Sequence, residues 1–243
     1  MKTREEWSLA FDQLYNNITS DKAPGLNEYE KSQFLTRAQL AVVLALYNGT
    51  LGAAFESTEA ITNYLASLVK QADCVKVTSG AFLKKLWDTS EVYALPEDLL
   101  FITSEFCKVT EGSCANMNAV VVPVTQDEFW RTVRNPFKGP NGNRVLRLLY
   151  SSIPQPGSGS GGSAEPVFSV VKYAEIVPKT KNSVSGYFVR YISRPKPIIL
   201  EDLSESDLSI EGYTAPMTCL LDEALHKTIL SEAVRMAKEA WTA

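Results

Sequence analysis

The stretch that most constrains the fold is residues 23–49, APGLNEYEKSQFLTRAQLAVVLALYNG. Pro24-Gly25 opens it with a turn, and Asn48-Gly49 closes it with a helix-stop signal. Asn27 and Glu30 have the spacing of a capping box. Glu28 and Glu30 put negative charge in the first turn, where the helix dipole favours it. The pattern predicts one long helix. Its first half is amphipathic, with Lys31, Gln33, Arg37 and Gln39 on the outside. Its second half is apolar almost all round and needs cover on most sides. The run is too short to span a bilayer and is interrupted by Arg37 and Gln39, so it reads as a central core helix.

Helical spacing also marks both ends of the chain. Thr3 and Glu6 read as a capping box for a first helix that carries Trp7, Phe11, Leu14, Tyr15 and Ile18 and stops near Thr19. A short link to the long helix predicts an αα-hairpin. Ser57 or Thr58 starts a third helix with Ala60, Ile61, Tyr64, Leu65, Leu68 and Val69 on its apolar face. Residues 218–240 predict a fourth, with Leu221, Leu225, Ile229 and Ala233 as its stripe.

Between these lies a different pattern. Residues 75–78 alternate, residues 99–103 form a short apolar run after Pro96, and alternation resumes over 105–109. Residues 111–113 read as a turn and 119–122 as the next strand. Thr125 caps a short helix over 126–134, stopped by Asn135-Pro136. Strands are predicted over 144–150, 167–177 and 187–193. In the last, Tyr187, Val189 and Tyr191 share one face. The resulting expectation is an α+β fold: a helical bundle from the N-terminal and C-terminal helices (residues 1–72 with 216–243) and a β-rich middle region with long loops (73–215).

A chain of 243 residues that is 45% hydrophobic can bury one or two cores. With 21% charged residues and a net charge of −4, it lacks the basic balance of a surface that wraps nucleic acid. Cys74, Cys107, Cys114 and Cys219 match no metal knuckle or redox motif and read as reduced thiols. The first residues lack an apolar signal-peptide core.

Three segments stand out as candidate contacts. Residues 154–163, PQPGSGSGGS, read as a low-complexity hairpin tip without the GK[ST] ending of a phosphate loop: a tip that orders against a neighbour, or a floppy surface loop. Residues 135–144 are a Gly/Pro/Asn turn cluster that carries Phe137, Lys138 and Arg144: a docking loop, or a tight helix-to-strand connection. Residues 194–203 begin as an extended arm with Arg194, Lys196, Ile198 and Ile199: an arm across a subunit boundary, or a linker to the last helix. The tryptophans, Trp241 included, are candidate interface anchors or core residues. His226, the one histidine, lies mid-helix and reads as a helix–helix or subunit contact. No nucleophile motif, metal spacing or paired-carboxylate site is present, so no catalysis, cofactor or metal is expected.

The run 23–49 carries a further signal together with ALPEDLLFIT (94–103), VVPVTQDEFWRTVRNPFKGPNGNRVLRL (121–148), YFVRYISRPKPIILEDL (187–203) and LDEALHKTILSEAVRMA (221–237). In this order they resemble the head–tail connector ring proteins of crAss-like tailed bacteriophages. The resemblance implies a structural, non-enzymatic virion protein, assembled in the host cytoplasm. It would form a homo-oligomeric ring, twelve-fold to match a portal, and contact the portal protein and adjacent tail rings. DNA would pass through the lumen without specific binding, and no membrane is involved. The competing readings are a virion-associated hydrolase or other accessory protein, and a nucleic-acid regulator.

Overall fold

The computed structural model describes residues 1, 3–16, 25–50, 59–77, 85–111, 114–152, 171–181, 183–205 and 207–242. Two compact units divide the chain: Met1–Val69 with Arg194–Ala243, and Lys70–Ser193.

In the first unit, α2 (Glu28–Asn48) is the long helix that the sequence announces. Asn27 Oδ1 accepts from the Glu30 amide at 2.8 Å, and Glu30 Oε2 accepts from the Asn27 amide at 2.9 Å, completing the capping box. Gly49 ends the helix at φ 76°, a left-handed corner that a residue with a Cβ would adopt only with strain. α1 (Arg4–Asn16) buries Trp7, Phe11 and Tyr15. α5 (Glu223–Thr242) packs on α1 and α2. It starts later than expected because the Asp222 carboxylate accepts the Ala224 amide at 2.8 Å and caps it there.

Two residues expected outside α2 are inside. Gln39 is buried, and so is Lys31, whose Nζ lies 2.7 Å from Asp12, 2.9 Å from Glu28 and 3.1 Å from Ser8 Oγ. Burial opposes the ammonium form, but these two carboxylates outweigh it and raise the Lys31 pKa. Ser32 and Thr36, one turn apart, do a different job. Ser32 Oγ accepts the Leu200 amide at 3.0 Å, and Thr36 Oγ1 accepts the Ile198 amide at 3.1 Å. They thereby satisfy the backbone of an extended segment laid along the helix. Ile199 and Met217 then bridge as a single antiparallel pair.

The second unit is a closed barrel of seven strands in the order β1-β2-β6-β5-β4-β3-β7. The strands are β1 (Val69–Lys76), β2 (Glu91–Ala94), β3 (Leu99–Glu111), β4 (Cys114–Pro123), β5 (Arg144–Ser152), β6 (Val171–Val177) and β7 (Val184–Ser193). Among the described residues the strands pair antiparallel except β4 with β5, which run parallel because α4 (Gln126–Val133) carries the chain back between them. Inside are Tyr93, Cys107, Val109, Val121, Val145, Ile176 and the β7 face of Tyr187, Val189 and Tyr191. A second cluster lies on the other face of β5, where α4 seats Phe129 over Leu146 and Leu148.

The barrel overturns the expected α+β fold of a helical bundle with a β-rich middle region. The middle is not an open β-rich region with long loops but closes on itself as a seven-stranded barrel. The third helix, α3 (Glu59–Tyr64), gives way to a single 3₁₀ turn, so Val69 opens a strand and does not end a helix. The two strands expected over 99–109 are one, bent by register shifts between Leu99 and Phe101 and between Ile102 and Ser104. The expected turns near residues 19–24 and 112–113, the Ser57 or Thr58 cap and the tip 154–163 lie outside the described residues.

Candidate assembly surface

In the barrel unit, the loop between α4 and β5 is built as a rigid tip. Thr125 caps α4 by accepting the Glu128 amide, and Arg134 ends the helix. Asn135 then folds the chain over itself. Its Oδ1 accepts the amides of Phe137 at 2.8 Å and Lys138 at 3.2 Å, and its carbonyl accepts the Gly139 amide at 2.7 Å. A Cβ on Gly139 would sit 2.7 Å from the Asn135 carbonyl oxygen, so only glycine fits this close approach. Arg144 Nη1 donates to the Phe137 carbonyl at 2.9 Å from the far side. The result presents Phe137 86% exposed on a backbone held from both ends. Trp130, 46% exposed, stands nearby on α4 against Trp87 and Phe129, with Arg134 over its ring at 5.8 Å. Residues 131–144 hold Arg131, Arg134, Lys138 and Arg144 and no carboxylate. A groove of about 860 Å³ runs beneath, lined by Val120, Val122, Glu128, Lys138 and Arg144 among others.

A second apolar feature crosses three strands. Val120 on β4, Phe106 on β3 and Phe188 on β7 are successive register partners. Val120 is 65% and Phe106 41% exposed. Phe106 stacks on Phe188 at 4.8 Å, and Lys108 Nζ lies 4.9 Å from the Phe188 ring centre. Sheet faces of this kind read as contact surface.

The buried charges act as braces. Glu105 on β3 pairs with Arg147 on β5 at 3.0 Å and accepts the Tyr187 hydroxyl on β7 at 2.6 Å, tying three strands. Burial raises the Glu105 pKa against both partners, and raises the Tyr187 phenol beyond its ordinary range. Glu175 accepts from the Leu86 amide at 2.9 Å and from the hydroxyls of Ser90 and Tyr150. Glu91 pairs with Lys76 at 2.7 Å. Burial also pushes the Cys74 thiol up to about 12, away from the thiolate form. Among the described residues no group of His, Cys, Asp and Glu is placed to hold a metal ion, and no helix is long and apolar enough to cross a membrane.

The sequence profile described as phage tail ring protein 3/4 matches residues 1–243. The chain belongs to that family. It is 37% identical over 242 residues to Ring protein 3 of Bacteroides phage crAss001, which covers 97% of this chain and 94% of the relative. It is 32% identical over 244 residues to Ring protein 4/5 of the same phage, with 97% and 92% covered. The likeness to ring proteins of crAss-like phages thus extends over nearly the whole chain, both compact units included. At this level the chain is a structural ring protein of a phage tail.

In this tail ring protein the residues singled out by sequence fall into separate places. Phe137, Lys138 and Arg144 meet in the braced tip. Arg194 and Lys196 are exposed in the other unit, where Arg194 pairs with Glu211 at 3.0 Å. Ile198 and Ile199 are fully buried in their own unit and present nothing to a partner. Trp241 lies in the last turn of α5, with its side chain outside the described set. His226 is buried, 5.0 Å from the Trp7 ring, with Nε2 within 3.1 Å of the Leu221 carbonyl. Sequence reasoning missed the Val120–Phe106–Phe188 row, because pairing of distant strands creates it. It also missed the Glu105–Arg147–Tyr187 brace. The signal was there in Glu105 and Arg147 sitting on the same alternation as buried apolar residues, but it reads as exposure when the partner strand is unknown.

Proposed function

We propose that this chain is a ring subunit of the head–tail connector, an adaptor below the portal. Copies close into a twelve-fold ring that joins portal to tail and leaves a channel for DNA during ejection. The observation that carries this reading is the braced Phe137 tip. A large aromatic residue held exposed and rigid loses little entropy on docking, which is the property of an interface anchor. The groove under the tip and the Val120–Phe106–Phe188 row share Val120, so together they offer one continuous contact surface to a neighbouring subunit. Interfaces of this obligate kind bury more than about 2,000 Å². The net charge of −4 suits a lumen along which DNA slides without being gripped. The side chains do no chemistry, and assembly takes place in the host cytoplasm before the particle is complete.

The test is co-purification with the cognate portal ring, followed by size-exclusion chromatography with mass detection. The wild-type chain binds, and Phe137→Ala lowers affinity at least about 30-fold. A chain that never associates with portal or with itself contradicts the reading.

A further inference from the structure

The barrel wall contains a slot with an unanswered positive charge. β3 pairs with β7 from Leu99 onwards, but its pairing with β4 begins only at Phe106. β5 pairs with β6 to its end, but its pairing with β4 stops at Arg147. Beyond the point where β4 leaves, a cleft of about 280 Å³ opens between the two edges, lined by Leu99 and Ile102 on β3, Leu149 and Tyr150 on β5, and the cations Arg147 and Lys172. It is below the roughly 300–1,000 Å³ of pockets that take drug-sized molecules, so it suits inserted side chains.

Arg147 is nine-tenths buried, with 9% of its side chain exposed. Its Nε faces Glu105 at 3.0 Å, while Nη1 is buried and meets no acceptor among the described residues. Lys172 Nζ donates to the Leu99 carbonyl at 2.8 Å and has no carboxylate partner among the described residues. The Arg147 guanidinium thus meets its one carboxylate through Nε alone, in apolar surroundings where a guanidinium nitrogen without an acceptor is costly.

We propose that this slot receives the Asp207-Leu208 corner of a second copy of the chain. The Asp207 carboxylate meets Arg147 and Lys172, and Leu208 enters among Leu99, Ile102 and Leu149. The corner is the chemical complement of the slot. Residues 201–211 hold five carboxylates and no cation. Leu208 is 41% exposed within that run, and Asp207 turns the backbone at φ 52°. Opposite charge selects the pairing and its register, and a slot and a corner at different places on one chain make a head-to-tail contact. The inference rests on the ring reading above.

The experiment is fluorescence anisotropy of a labelled peptide of residues 204–212 titrated with the full-length chain, alongside sedimentation of the full-length chain alone. The peptide binds saturably. Binding weakens at least about tenfold on Asp207→Asn or Leu208→Ala in the peptide, and on Leu149→Glu or Lys172→Gln in the chain. Leu149 and Lys172 are partly exposed, and an unchanged circular-dichroism melt shows that the variants fold. The same substitutions weaken self-association of the full-length chain by a similar factor. No peptide binding, equal binding of a scrambled peptide, or rings that form unchanged with Leu149→Glu overturn the slot while leaving the ring reading in place. Peptide binding by a chain that stays monomeric both alone and with the portal ring overturns the second-copy assignment together with the ring reading.

Discussion

His226 shows how much one buried residue fixes. Its Nε2 lies 3.1 Å from the Leu221 carbonyl, an acceptor only, so the neutral ring carries its proton there. Burial lowers its pKa below the ordinary value of 6.5. A folded value below the unfolded one means that the unfolded chain takes up the proton first on acidification. Stability is therefore intact above the unfolded value, and falls as pH drops from there through the folded value. Urea midpoints measured from about pH 7.5 to 5 fall for the wild-type chain, and His226→Gln flattens part of that slope. An identical slope in the variant contradicts the assignment. The single histidine was legible as a packing residue from its place beside an apolar stripe. Lys31 was not legible as buried, because the two carboxylates that make its burial tolerable come from α1 and from its own helix one turn back.

At the scale of elements, legibility followed locality. The capping box and glycine stop of α2, the Thr125 cap of α4 and the alternation of β7 are written in residues three or four apart or on every second position. The structure places each where those signals put it. The seven-stranded closure is not written locally. β3 finds β7 some eighty residues later, and β4 lies parallel to β5 only because α4 intervenes. β2 has four residues and no pattern of its own, and its partners β1 and β6 define it. The candidate tip was legible as a Gly/Pro/Asn loop with cations, but its rigidity depends on hydrogen bonds that only coordinates reveal. Gly139→Ala tests that rigidity. The added methyl meets the carbonyl oxygens of Asn135 at 2.7 Å and Val133 at 3.0 Å, both backbone. The expected cost is about 1–3 kcal/mol in a denaturant midpoint, with a matching loss of partner binding. A variant as stable and as adhesive as the wild-type chain shows that the loop is not braced in this way.

For the whole molecule, the division of labour is between a barrel locked by buried ion pairs and surface features that those locks hold still. Removing one carboxylate from a brace such as Glu105–Arg147 leaves a buried charge unmatched, which is why such pairs mark positions the fold depends on. A tail ring protein needs this stiffness, because small errors at each of many repeated contacts add up around a closed ring. Family membership was legible from five stretches distributed along the chain, while the architecture that unites them was not. The most direct test of the account is rotational analysis of images of tails from purified particles, with this chain located by a label. The account predicts copies arranged as one closed ring around a central channel, with the barrel loop at a contact between subunits or with the portal. Particles that lack the chain, or that carry it as scattered single copies, contradict it.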